Sequence, residues 1–208
     1  MFDNSSILSG LLEIGAVQIQ PDDPFTLSSG LMSPIYCDNR LTMSYPEIRR
    51  SIRDRFTQQI KELGEIDVIA GCATAGIPHA AFVAEVLDLP MIYVRSKPKS
   101  HGKGSQIEGK LHKGQKVVLI EDLFSTGGSA IQAAEAIKEA GGEVVKIIAI
   151  FSYQLDKSKQ NFKEAGFEVE SLTDLDELLT FMKRNGGLSE IQEEKVLKWR
   201  KDPSGYKG

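Results

Sequence analysis

Several absences bound what this chain can be. It has only two cysteines, Cys37 and Cys72, in 208 residues. Their positions match neither a metal-ligand spacing nor a disulfide framework, so reduced thiols are expected. No apolar run reaches the length of a membrane span. No Lys or Arg precedes Arg40, and Asp3 and Glu13 interrupt the early apolar residues, so no secretory signal is expected. Positive charge is not in surplus: the net charge is −4 and the isoelectric point is near 5.5, which leaves no whole-molecule attraction for nucleic acid. A dinucleotide-binding GxGxxG is missing. Gly104, Gly109 and Lys110 have P-loop spacing, but Leu111 stands where a hydroxyl would hold Mg²⁺, and no buried strand precedes them. Internal repeats and linkers are also lacking. A single domain over residues 1–208, soluble and cytoplasmic, is the expectation, and 41% hydrophobic with 26% charged residues suits it.

What is present is organised around residues 117–129, which read Val-Val-Leu-Ile-Glu-Asp-Leu-Phe-Ser-Thr-Gly-Gly-Ser. Four apolar residues predict a strand buried on both faces. Glu121 and Asp122 come where that strand leaves the sheet, and Ser125-Thr126-Gly127-Gly128-Ser129 makes a small, hydroxyl-rich loop. A helix is predicted over 130–140, with Ala130, Ala133, Ala134, Ile137 and Ala140 on one face and Gly141 at its end. Small residues let backbone N–H groups approach a phosphate, and the helix adds the positive end of its dipole. Adjacent carboxylates at a strand's C-terminal end can accept hydrogen bonds from sugar hydroxyls or help place a metal. An ordinary acidic βα turn is the competing reading.

The rest of the chain alternates strands and helices. A short helix over 5–15 leads into residues 25–40, read as two short strands joined by Ser29-Gly30. Ser44 with Glu47 reads as a capping box for a helix carrying Ile48, Ile52, Phe56 and Ile60, closed by Gly64. A buried strand over 66–70 enters Gly71-Cys72-Ala73-Thr74-Ala75-Gly76, a glycine-bounded turn of anion-binding type, followed by a helix over 78–87. His79 on that helix reads as a packed or surface residue. After a strand over 91–94, residues 95–104 hold Arg95, Lys97, Lys99, His101 and Lys103 with no acid. Gly, Ser and Pro exclude a stable helix there. Such a basic island in an acidic protein suits a mobile segment that meets a polyanion. Further strands are predicted at 143–151 and 167–169, and helices at 155–165 and 175–184. Ser189 with Gln192 forms a capping box for a last helix, on which Trp199 is a packing anchor.

Residues 117–129 resemble the 5-phosphoribosyl-1-pyrophosphate (PRPP) motif of the type I phosphoribosyltransferases. The string Ser-Pro-Ile-Tyr-Cys-Asp-Asn-Arg over 33–40 is similar to the N-terminal hood of the orotate branch of that family, and Arg95, Lys97, Lys99, His101 and Gly102 are similar to its catalytic loop. The resemblance covers nearly the whole chain. It implies an α/β fold, the type I phosphoribosyltransferase fold, with a mostly parallel central sheet flanked by helices. The hood would comprise about 1–40 plus the C-terminal helices, and the core about 44–170.

It also implies transfer of phosphoribosyl from PRPP to orotate, with Mg²⁺ held mainly by PRPP and water rather than by direct protein ligands. Lys99, His101 and Asp122 would be catalytic. PRPP would be bound by Arg95, Lys97, Lys99, His101, Ala73, Thr74, Glu121, Asp122, Leu123, Phe124, Ser125, Thr126, Gly127, Gly128 and Ser129. Orotate would meet Ser125, Tyr36 and Cys37. The family's hood lysine and the arginine after the strand that follows the central helix are Ser28 and Tyr153 here, and the lysine after its loop arginine is Ser96. A homodimer with shared active sites, binding neither nucleic acid nor membrane, is implied. Alternatives are a phosphoribosyltransferase for another base, or a PRPP-sensing regulator. The hood string argues against the first, and the absence of a basic face against the second.

Overall fold

Two apolar clusters, one on each face of a six-stranded sheet, explain the continuous apolar runs. A computed structural model of the protein describes residues 4–27, 29–97 and 106–207. The hood contributes α1 (Asn4–Glu13), β1 (Val17–Ile19), β2 (Phe25–Thr26), β3 (Met32–Ser33) and β4 (Ile35–Cys37). β2 and β3 pair antiparallel, the predicted hairpin, and β1 pairs antiparallel with β4. A 3-10 turn, Asn39–Ser44, then leads to α2 (Pro46–Glu62). The expected capping box at Ser44 is not formed. Pro46 opens α2 and Tyr45 is its N-cap, without a side-chain bond, so Ser44 falls one residue too early and ends the 3-10 turn instead.

The core follows as β5 (Val68–Cys72), α3 (Gly76–Leu87), β6 (Met91–Val94), β7 (Ile107–Glu108), β8 (Lys116–Phe124), α4 (Gly128–Glu139), β9 (Glu143–Ser152), α5 (Asp156–Ala165) and β10 (Val169–Asp174). The chain ends in α6 (Leu175–Arg184) and α7 (Glu190–Lys201), and α7 has the predicted Ser189–Gln192 capping box. Sheet order is β10-β9-β8-β5-β6-β7, parallel except for β7, which pairs antiparallel with β6. That bears out the mostly parallel α/β sheet. β1 and β7 were not anticipated.

Side chains alternate between the two faces. Ile69, Val118, Ile120, Ile148 and Ile150 pack under α1, α2, α3, α6 and α7. Val68, Ala70, Val117, Leu119 and Ile147 pack under α4 and α5. Helices on both faces leave no solvated side to the sheet, hence the unbroken runs. The chain steps outward from β5 to β6, then returns to lay β8 on the other side of β5. Such a reversal opens a crevice at the C-terminal ends of the two strands, where open α/β sheets bind ligands. Among the described residues, no helix is long and apolar enough to cross a membrane.

Candidate active site

The reversal point is where the acidic pair sits. The β5–β8 ladder ends at Gly71 and Ile120, and the chains then diverge around a cavity of about 330 Å³. Its lining includes Ala73, Thr74, Glu121, Asp122, Leu123 and Ser129, which brings together six of the sequence-predicted PRPP residues. Cys37 joins them from the hood. Glu121 is 4% exposed, accepts from the Asp122 N–H at 2.9 Å and from Ser129 Oγ at 3.1 Å, and is thereby fixed in place. Burial, and then the neighbouring Asp122 carboxyl, pushes Glu121 up to about 8. Burial, and then Glu121, raises the Cys72 thiol well above its usual range, so it is inert and not a nucleophile.

Two helix N-termini meet this cavity. α4 starts at Gly128, two residues before the predicted start, with Gly127 as its N-cap at φ 82°. Gly127 is required twice over: that φ disfavours side chains, and a Cβ would lie 2.6 Å from the Phe162 ring. Asn161 Nδ2 donates to Thr126 O at 2.9 Å, tying the loop to α5. The Phe124 side chain points away and packs edge-on against Phe162, at 5.0 Å between centroids. α3 starts at Gly76, just after Ala73 and Thr74, whose peptide bond is cis. A side chain at Gly76 would collide with the Ile120 carbonyl, so glycine lets α3 abut β8. Orphan N–H groups at both helix starts give the cavity two anion-binding ends.

The hood closes one side. Asp38 and Arg40, paired at 2.6 Å, line the cavity beside Cys37, and the sequence reading assigned neither a role. Burial raises the Cys37 thiol strongly. Tyr36 packs on Phe25 at 5.6 Å and lines neither this cavity nor its neighbour. That neighbour, about 230 Å³, opens beside Ser125 and Thr126 and is walled by Leu27, Met32, Tyr153 and Trp199. Trp199 stacks edge-on against Tyr153 at 5.4 Å, the anchoring role expected of it. His79 is 2% exposed, on the packed side of the two expected outcomes.

Arg95 and Lys97 of the basic segment are among the described residues. Lys99, His101 and Ser28 lie outside the described residues. The Arg95 N–H donates to Gln106 O at 2.9 Å, and Gln106 Nε2 donates to Arg95 O at 3.1 Å, a closed stem continued by β6 and β7. Arg95 lies 3.7 Å from Glu108, and Lys97 is exposed. Neither lines the cavity, but the Ala73 N–H donates to Val94 O, so the stem starts one residue from the β5 loop.

A βα crevice with adjacent acids, a Thr-Gly-Gly helix start and a second loop facing it defines a phosphoribosyl-transfer site, and residues 44–175 match the phosphoribosyl transferase domain family. The chain is 54% identical to an orotate phosphoribosyltransferase of Listeria monocytogenes over 94% of both chains, and 55% identical to one of Bacillus cereus over 95% of both. An orotate phosphoribosyltransferase structure from Aeropyrum pernix superposes with a TM-score of 0.75 at 28% identity, covering 88% of this chain and 99% of its own. The chain belongs to the orotate phosphoribosyltransferases.

Proposed function

We propose that the protein transfers the 5-phosphoribosyl group of PRPP to orotate, forming orotidine 5′-monophosphate and pyrophosphate in UMP biosynthesis. It would do so in the cytoplasm, with Mg²⁺, as a homodimer sharing its active sites. The observation that carries this reading is the acidic pair set between two helix N-termini at one crevice. PRPP carries a phosphate at one end, a diphosphate at the other and a diol between. The backbone N–H groups of residues 125–129 take the 5′-phosphate, Ala73 and Thr74 take the diphosphate, and Glu121 and Asp122 accept from the ribose hydroxyls.

Displacement breaks the bond between the anomeric carbon and the diphosphate oxygen and forms one from that carbon to the base nitrogen, whose proton passes to the departing diphosphate. The carbon passes through an oxocarbenium-like state and needs no protein nucleophile, in keeping with the inert thiols around it. Negative charge grows on the diphosphate beside the Asp122 carboxylate, so neutralisation is required. Arg95, Lys97, Lys99 and His101 supply it by closing over the diphosphate, which also excludes water from PRPP. The half-exposed Asp122 carboxylate on an open cavity fits a Mg²⁺ that keeps its water. When bound, Mg²⁺ neutralises the diphosphate; Asp122 is the carboxylate best exposed to it. Ser125 and Cys37 meet the base, whereas Tyr36, packed on Phe25, backs the hood without lining either cavity.

The deciding measurement is the spectrophotometric loss of orotate with PRPP and Mg²⁺, set against adenine, hypoxanthine, uracil and a metal-free control. Loss of orotate alone, dependent on both PRPP and metal, is expected, and Asp122→Asn should cut kcat/KM for PRPP by at least about tenfold. Turnover of a different base would discard orotate, and an unaltered Asp122→Asn would discard the ribose contact.

A further inference from the structure

We infer that Asn39, braced by Thr42 and His79, is a positioning residue that stands in for a missing strand at Asp122. The β5 ladder stops at Ile120, so Asp122 has no partner on that side of β8. Both of its main-chain groups are met by side chains instead. The N–H donates to Glu121 Oε1 at 2.9 Å, and the carbonyl accepts from Asn39 Nδ2 at 2.7 Å. The first contact comes from the neighbouring residue. The second reaches across 83 positions of sequence, from the 3-10 turn that follows the hood.

Asn39 is itself held. Its carbonyl accepts from Thr42 Oγ1 at 2.6 Å, and Thr42 Oγ1 lies 3.3 Å from His79 Nε2 on α3. A hydroxyl has one proton, and Thr42 gives it to Asn39. His79 must then donate through Nε2, which sets the tautomer of its ring. Burial pushes His79 down to about 4, so the ring is neutral while it does so. Asn39, Thr42 and His79 are 1%, 0% and 2% exposed. The chain of bonds therefore joins three parts of the crevice: the hood turn, α3 behind the Ala73–Thr74 loop, and the acidic end of β8.

Burial of this asparagine is not explained by packing. Its Oδ1 has no hydrogen-bond partner among the described residues, a cost an apolar side chain would avoid. The amide also meets the Cys37 sulfur, a weak acceptor, so its one strong bond is the one to Asp122. An unpaired peptide at the open edge of β8 could rotate, and Asp122 would lose its aim at the ribose. This inference rests on the ribose role proposed for Asp122.

The test compares Asn39→Ala, Thr42→Val, Thr42→Ser and Asp122→Asn in the full-length protein, with melting curves, titration of PRPP in Mg²⁺, and KM and kcat for each substrate. Asn39→Ala is expected to weaken PRPP binding about tenfold, with kcat/KM for PRPP falling at least as far. Thr42→Val should show a smaller loss that Thr42→Ser, which keeps the hydroxyl, does not. A folded Asn39→Ala that binds and uses PRPP within about twofold of the parent, beside an impaired Asp122→Asn, overturns the inference alone. An unimpaired Asp122→Asn overturns both it and the ribose assignment. If Asn39→Ala does not fold, the Thr42 pair decides: equal kinetics in Val and Ser variants count against the inference, and a defect confined to Val supports it.

Discussion

Glu121 shows how one residue can be costly to the fold and necessary to the chemistry. Its carboxyl is held at about 8 in the folded protein against an ordinary 4.5. Folding therefore favours the protonated form. The stabilisation is complete below the ordinary value and is lost as pH rises through the folded one. A neutral isostere escapes that loss. Glu121→Gln is expected to raise the melting temperature by several degrees at about pH 9 and hardly at all at about pH 5, while impairing PRPP use. Equal shifts at both pH values would show that burial of charge is not the cause. The adjacency of Glu121 and Asp122 was legible in the sequence, and so was their place at a strand end. Their unequal burial was not, because it depends on which residue of β8 turns toward Cys72 and Ser129.

Elements longer than about two turns were read well, because their apolar periodicity is a local property. β8, α4, α6 and the Ser189 capping box fall close to expectation. Two short strands were missed. β7 has two residues and β1 three, and each exists because a partner strand lies beside it. The Gly127 loop joins the two cases, since its composition announced a tight turn but its partner, Phe162, lies on α5. Gly127→Ala meets both the positive φ and the ring, so a loss of more than about 1 kcal/mol is expected, together with weaker PRPP binding. Denaturant unfolding and PRPP titration check the two parts. Weaker binding at unchanged stability would mean that the loop moves without straining the fold.

At the scale of the whole molecule, the proposed homodimer makes a prediction. If the segment carrying Lys99 serves the neighbouring subunit, two impaired variants should complement. Lys99→Ala mixed with Asp122→Asn after subunit exchange pairs an intact core with an intact loop at one site of each hybrid. Activity should return to about a quarter of the parent's, from half the dimers each with one good site. No recovery, with exchange verified independently, would assign each loop to its own subunit.

The sequence by itself determined what each segment could be: a buried strand ending in two acids, a glycine loop opening a helix, a hairpin. Those properties are local, set by side-chain period, small residues and caps. Tertiary structure alone decided which segments meet. The return of the chain from β6 to the far side of β5 opens the crevice, brings the Ala73–Thr74 loop to face Asp122, and seats Asn39 on the Asp122 carbonyl. No local signal marks Asn39 for that task, because the unpaired carbonyl it answers exists only once the two strands have parted.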